Sequence, residues 1–337
     1  MLPTPSTCSC GASTETADAN SRYDIPVRVV VLASFNMDLV MRTDRLPRRG
    51  ETLQGQFEMF LGGKGFNQAV AARRLGADVA VIGRVGDDDF GQAFIAALDG
   101  EGIDHEHVIV DPEHGTGVAA VGVLPDGENA IIQAPRANNA MTASDVVDAA
   151  GVLDRADAGL FQLETSIPAA FAFAREARER EVRVIFNPAP AMAIPDDLLA
   201  LADVIVPNEI EAMHLTGIVP DNMGRAYEAA DLLQRKGEAD VVLTRGSQGA
   251  LAMTERGRLD VAAFRVPVVD TVGAGDAFVA ALTVALGEGT PLVDAMRFAT
   301  AAGALSVTRA GAEPSMPRRD EVDALVANGR LVARSLA

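Results

Sequence analysis

The residues best placed to do chemistry lie in Val269-Asp270-Thr271-Val272-Gly273-Ala274-Gly275-Asp276-Ala277-Phe278, where glycines and aspartates precede an apolar helix-like run over 277–286. A helix start offers unpaired backbone N–H groups and the positive end of the helix dipole, so it attracts anions. Gly273 and Gly275 carry no Cβ and let the backbone approach a phosphate closely. A carboxylate such as Asp276 beside that nest is unfavourable unless the site needs an acid next to a phosphate. Phosphoryl transfer has that need, for a cradle of developing negative charge and a base for the attacking hydroxyl. A plain N-capped helix explains the same run. Both readings stay open on local sequence alone.

A second glycine cluster, Leu61-Gly62-Gly63-Lys64-Gly65-Phe66-Asn67-Gln68-Ala69, also opens onto a helical pattern. It joins a flexible turn to a cation and two amides, suited to holding polyol oxygens by directional hydrogen bonds. A hinge with a solvated Lys64 is the competing reading. Polar residues recur where apolar strands end: Asn36 and Asp38 in Ser34-Phe35-Asn36-Met37-Asp38, Glu164 after Leu160-Phe161-Gln162-Leu163, and Asn208 in Pro207-Asn208-Glu209-Ile210-Glu211. Open α/β sheets bind ligands beyond the carboxyl ends of their strands. Asn36 and Asp38, two apart on an extended chain, point to the same side. Each is singly more often a strand-end cap than a ligand contact, but their recurrence beside two glycine nests argues for a site.

Other motifs are weaker. No Gly-Lys is followed by Ser or Thr, which rules out a Walker loop, and no Gly-x-Gly-x-x-Gly is present. Asp87-Asp88-Asp89-Phe90-Gly91 contains an Asp-Phe-Gly triplet, but no His-Arg-Asp loop accompanies it, so acidic residues opening a helix explain it better. Asp104-His105-Glu106-His107, with His114, reads as a solvated loop, a metal site being the alternative.

These residues must be positioned by alternating elements. Strands are expected over 27–33, 78–82, 159–163, 182–186, 203–206 and 240–244. Helices are expected over 66–75, 90–98, 144–153, 168–180, 227–236 and 291–307. Several strands are continuously apolar, the mark of parallel strands buried on both faces. The alternation predicts a layered α/β fold with right-handed crossovers. Segments 38–61 and 116–134 break it with turn-linked extended stretches, which predicts a small antiparallel sheet serving as a lid. The chain has 337 residues, 48% of them hydrophobic and only 4% aromatic, with no Trp and two Tyr, so the core is expected to be aliphatic, built on Ala, Val and Leu. Its formal charge of −18 argues against a nucleic-acid partner. No apolar run approaches the roughly 20 residues of a membrane span. Cys8 and Cys10 both fall in a Ser-, Thr- and Pro-rich opening expected to be a disordered tail over 1–25, with the α/β domain over 26–335. A cysteine-free body fits a reducing, cytoplasmic setting.

Taken together the motifs resemble the PfkB carbohydrate-kinase family and its ribokinase branch, from about Val27 to near residue 330. The resemblance rests on Gly62-Gly63-Lys64-Gly65-x-Asn67-Gln68-Ala69, Asn187-Pro188-Ala189-Pro190-Ala191 and Pro207-Asn208-Glu209-x-Glu211. It rests equally on Asp270-Thr271-x-Gly273-Ala274-Gly275-Asp276 and Val307-Thr308-Arg309-x-Gly311-Ala312-x-Pro314-Ser315. It implies a ribokinase-like αβα sandwich with a mostly parallel sheet and a β lid, and ATP-dependent phosphorylation of a sugar hydroxyl. Asp276 would be the base, with Gly273, Ala274 and Gly275 forming the anion hole. Asn36, Asp38, Gly63, Lys64, Asn67 and Glu164 match the sugar-binding set. Asn208 and Glu211 match an element organising Mg²⁺ and phosphate through water. Thr244, Gly246, Gly249 and Thr300, with Gly275, fall at nucleotide-contacting positions. Asp270, Val272, Ser306, Arg309, Gly311 and Ser315 match an activating K⁺ site. The lid implies a homodimer.

Three departures bear on the substrate: Phe66 in place of a small residue, Gln133 in place of an apolar one, and Pro135-Arg136 in place of Ala-Gly. They either reshape the pocket or point outward, and Arg136 in the pocket would meet a carboxylate or phosphate. The expected activity is phosphorylation of ribose at its 5-hydroxyl. A kinase for another sugar, a sugar acid or a nucleoside is the alternative, and a non-catalytic sugar sensor a remoter one.

Overall fold

The computed structural model of the protein describes residues 25–125 and 129–332. The expected tail, with Cys8 and Cys10, lies outside the described residues. The strands are β1 (Arg28–Ala33), β2 (Asn36–Arg42), β3 (Gln56–Gly62), β4 (Asp78–Gly86), β5 (Asp104–Asp111), β6 (Gly117–Val123) and β7 (Asn129–Ala134), followed by β8 (Ala158–Phe161), β9 (Arg183–Phe186), β10 (Val204–Ile205), β11 (Asp240–Thr244), β12 (Ala250–Thr254) and β13 (Gly257–Val261). The helices are α1 (Lys64–Arg74), α2 (Asp89–Glu101), α3 (Ala137–Ala140), α4 (Ala143–Ala149), α5 (Ile167–Glu179) and α6 (Asp196–Leu199), then α7 (Glu209–Thr216), α8 (Met223–Gly237), α9 (Ala274–Gly287), α10 (Leu292–Ser306) and α11 (Arg319–Asn328).

The large sheet runs β13-β12-β11-β10-β9-β8-β1-β4-β5. It is parallel from β11 to β5, and β12 and β13 join antiparallel. The central strand shows why the architecture is layered. Alternate side chains of a strand leave on opposite faces. Val29, Val31 and Ala33 enter one core with Phe66 of α1, Ala277 of α9 and Ala299 of α10. Val30 and Leu32 enter the other with Val146 of α4, Phe173 of α5 and Leu233 of α8. Helices on both faces of a mostly parallel sheet are the expected αβα sandwich.

The second sheet, β3-β2-β6-β7, is built from the segments that interrupted the alternation. The expectation of a purely antiparallel sheet needs correction. β2 pairs with β3 antiparallel and β6 with β7 antiparallel, but the central β2–β6 pair is parallel. The chain leaves for β4 and β5 of the large sheet between β2 and β6, so it returns in the same direction. The expected loop over Asp104–His107 is likewise an edge strand, β5. Its polar residues alternate because one side faces solvent. His105 pairs with Asp99 at 2.8 Å and His114 with Asp111 at 3.2 Å, and no metal-ligating cluster occurs among the described residues.

Local sequence fixes the helix entries. Asp88 accepts from the Gly91 N–H to cap α2, and Ser166 accepts from Ala169 to cap α5. Asn208 and Glu211 form a reciprocal capping box on α7. The helix expected over 144–153 ends at Ala149 and continues as a tighter turn, Ala150–Arg155.

Candidate active site

Asp276 sits in the first turn of α9 and is buried. Its carboxylate accepts from Asn67 Nδ2 and from Gln68 Nε2, each at 3.0 Å. The two glycine clusters, separated by some two hundred residues of chain, therefore meet at one carboxylate. Gly273 caps the helix at φ 79°. That conformation favours glycine, and a Cβ there would also lie 2.9 Å from Met316 Cε and 3.1 Å from Ala312 Cα. The turn leaves the amides at the start of α9 with no intrahelical acceptor. Gly63 does the same for α1, at φ 97°, with a Cβ position 2.6 Å from the Ser34 carbonyl.

Beside Asp276 lies a cavity of about 230 Å³ lined by Lys64, Asn208, Glu211, Thr244, Gly273 and Gly275, among others. Of the strand-end residues that sequence singled out, Asn208 lines it, while Asn36, Asp38 and Glu164 do not. Asn187 and Thr271 also line it, and neither was assigned a role from sequence.

Next to this cavity the polar set of β2 and Glu164 converges. One oxygen of Glu164 accepts from Ser34 Oγ at 2.7 Å, the Lys64 N–H at 2.8 Å and Asn36 Nδ2 at 3.2 Å. Its other oxygen accepts from Gln133 Nε2 at 3.3 Å. Asn138, unassigned from sequence, donates to Asn36 Oδ1 at 3.0 Å and holds that amide's orientation. Asp38, Ala119 and Gln133 are directly paired across β2, β6 and β7, so Asp38 and Gln133 stand on one face. Asn67 Oδ1 is buried without a partner among the described residues, an acceptor open to a hydroxyl donor.

The electrostatics are those of crowded acids around one cation. Burial raises Asp38 to about 7, reinforced by Glu164 and Asp276 and opposed by Lys64. Burial also raises Asp276, against Lys64 and the two amide donors, and raises Glu211. Burial works against the charge of Lys64, but Asp276, Glu164, Glu211 and Asp38 more than offset it and hold it above its ordinary value.

Of the departures, Phe66 points away from the pocket. It is fully buried, its ring centroid 5.0 Å from Phe94 and 6.2 Å from Phe35. Arg136 donates to the Thr116 carbonyl at 2.9 Å and lies 3.9 Å from Asp88. Only Gln133 reaches the polar pocket.

The remaining residues do not line the cavity beside Asp276. Gly246 and Gly249 flank the turn after β11, and Thr300 is buried in α10 with its hydroxyl on the Met296 carbonyl at 2.7 Å. Asp270 ties two loops together, accepting from the Val272 N–H at 3.0 Å and the Gly311 N–H at 2.9 Å. The buried Ser315 donates to Ala312 at 2.7 Å, Ser306 to Gly303 at 3.0 Å, and the Arg309 side chain pairs with Glu321.

A base-like carboxylate at a helix N-terminal glycine nest, beside a polar pocket, defines a phosphotransferase acting on a hydroxyl. Residues 27–319 match the pfkB family of carbohydrate kinases. The chain is 38% identical to a ribokinase of Haemophilus influenzae over 87% of its length and 96% of that relative. It is 35% identical to a deoxyribokinase of Salmonella typhimurium, over 86% of its length and 95% of the relative. The solved structure of an Arabidopsis thaliana ribokinase complexed with ribose and ATP superposes with a TM-score of 0.84 at 33% identity, covering 90% of this chain and 99% of that one. The chain belongs to the pfkB carbohydrate-kinase family.

Proposed function

We propose that the protein transfers the γ-phosphoryl group of ATP to the 5-hydroxyl of ribose, giving ribose 5-phosphate and ADP. The observation that carries this reading is Asp276, buried at the start of α9 and held by Asn67 and Gln68 beside the Lys64 cavity. The hydroxyl gives its proton to the Asp276 carboxylate as its oxygen bonds to phosphorus, and the bond from phosphorus to the ADP oxygen breaks. The amides of Gly273, Ala274 and Gly275 stabilise the charge on the transferring group. Asn36, Asp38, Gly63, Lys64, Asn67 and Glu164 hold the sugar. Asn208, Thr244, Gly246, Gly249 and Thr300 serve the nucleotide. The small sheet acts as a lid that excludes water.

Asp38, Glu164, Glu211 and Asp276 face a single Lys64, a field that repels a bare polyphosphate. That donor chemistry fits ATP arriving with Mg²⁺, which keeps its waters and takes few protein ligands. Glu211, lining the cavity with Asn208, would hold a water of that ion and help neutralise phosphate charge. The loops that Asp270 joins fit K⁺, held by oxygens of Asp270, Val272, Ser306, Arg309, Gly311 and Ser315, whose charge would support the neighbouring anion nest. No helix among the described residues is long and apolar enough to cross a membrane, and we place the enzyme in the cytoplasm, where ATP is available. A second copy of the chain is the partner we assign to the small sheet.

The similarity to the Salmonella deoxyribokinase supports 2-deoxyribose as a second reading of the substrate. ADP release with Mg²⁺ and K⁺, measured over ribose, 2-deoxyribose, fructose, ketodeoxygluconate and nucleosides, tests both. The highest kcat/KM is expected with ribose. A preference for another compound would reassign the substrate, and no sugar-dependent ADP would favour a sugar sensor.

A further inference from the structure

The carboxylate assigned as base is held from beneath by a chain of buried side-chain amides. Gln68 is fully buried in α1. Both hydrogens of its Nε2 are engaged, one on Asp276 Oδ1 and one on Asn187 Oδ1, each at 3.0 Å. Its Oε1 accepts from the buried Gln162 Nε2. Asn187 in turn donates from Nδ2 to the Val206 carbonyl at 2.9 Å.

The polarity of this chain is not free. A backbone carbonyl can only accept, so Val206 requires the Nδ2 of Asn187 to face it. Asn187 Oδ1 must then face Gln68 and receive a donor. Gln162 offers a donor to the other side of Gln68, which fixes the Gln68 oxygen there and its nitrogen toward Asp276. A flipped Gln68 would set oxygen against oxygen at both Asn187 and Asp276 in a buried setting, where unmatched polar contacts are most costly.

We propose that Gln68 is a positioning residue for phosphoryl transfer, the last link of a polarity-locked amide relay that runs from the Val206 carbonyl through Asn187 to Asp276. The relay joins the ends of β8, β9 and β10 to the starts of α1 and α9. It holds Asp276 Oδ1 with a permanent donor, while Asn67 donates to Oδ2, whose remaining lone pair is left for the incoming hydroxyl. A donor on the charged form also favours ionisation, against the burial and the Glu164 charge that oppose it. The other groups facing this carboxylate are Lys64, Asn67, Glu164, Asp38 and Glu211, and none of them is hydrogen-bonded to Gln162, Asn187 or the Val206 carbonyl.

The inference rests on Asp276 being the base, and the two claims separate experimentally. In Gln68→Leu, kcat is expected to fall about tenfold to a hundredfold, while sugar affinity stays within about threefold of wild type. The acidic limb of its kcat–pH profile is expected to move to higher pH, because Asp276 has lost a donor to its charged form. Gln162→Leu does not touch Asp276 but leaves the buried Gln68 oxygen without its donor and loosens the Gln68 amide, and is expected to give a smaller loss and a shift in the same direction. It also tests the relay if Gln68→Leu fails to fold. An acidic limb unmoved in the soluble variants would overturn the relay, as would a loss confined to sugar KM. Asp276→Asn with undiminished turnover would instead overturn the assignment of the base.

Discussion

At the residue scale, the site is an acidic cluster whose charges are tuned by one another. Asp38 is the clearest case, raised to about 7 first by burial and then by Glu164 and Asp276. In the unfolded chain its carboxyl titrates near 3.8. Between about pH 4 and about pH 7 the folded protein therefore holds a proton that the unfolded chain has lost, so the Asp38 contribution to stability declines as pH rises through that window. Calorimetric Tm values of ligand-free wild type and Asp38→Asn, taken from about pH 5 to about pH 8, should differ by a slope. Wild type is expected to lose stability relative to the variant as pH rises, and parallel curves would contradict the account. Phe66 and Arg136 looked from sequence like equals of Gln133, because sequence does not tell where a side chain points. The fold turns Phe66 into a buried aromatic cluster and Arg136 onto Thr116, and of the three only Gln133 stands beside Glu164.

At the element scale, two helices of the candidate site begin at glycines of positive φ. At the start of α9, Gly273 has a φ of 79° that L side chains rarely adopt, so any Cβ there is strained, and it would also crowd Ala312. Gly273→Ala is expected to cost about 1–2 kcal/mol in denaturant unfolding and to lower kcat more than tenfold. Unchanged kcat in a folded variant would remove the anion nest from the mechanism. Sequence made these helix starts legible because glycine, aspartate and an apolar run coincide within a few positions. It made the parallel strands legible because they are buried on both faces. It failed where the signal is non-local. The β5 edge strand resembles a polar loop because one side is wet, and the parallel β2–β6 pairing follows from a long excursion through the large sheet. Gln68 stood in a recognised motif, but its partners Asn187 and Asp276 come from more than a hundred residues away.

At the scale of the whole molecule, one face of the small sheet carries exposed apolar side chains among the described residues. Met41 pairs with Phe57, and Leu39 with Met59 and, through Ala120, with Ile132, so these side chains share the face opposite Asp38. Met41, Phe57, Met59 and Ile132 are 52%, 55%, 54% and 78% exposed. Exposed apolar side chains gathered on one sheet face mark an association surface. The proposed homodimer through the small sheet predicts that Phe57→Asp combined with Ile132→Asp gives a monomer by sedimentation with its fold intact. A wild type that sediments as a monomer, or a double variant that still dimerises, would place the interface elsewhere or remove it.

The central claim is that Asp276 takes the proton of a sugar hydroxyl during phosphoryl transfer from ATP. Its most direct test follows label from γ-labelled ATP into ribose, with Mg²⁺ and K⁺, in wild type and in Asp276→Asn, beside ribose affinity measured without nucleotide. The account predicts labelled ribose 5-phosphate in step with ADP for wild type, and turnover lowered by at least about a thousandfold in the variant with ribose affinity nearly unchanged. Labelled sugar formed at a comparable rate by Asp276→Asn, or ADP released by wild type without labelled sugar, would contradict it.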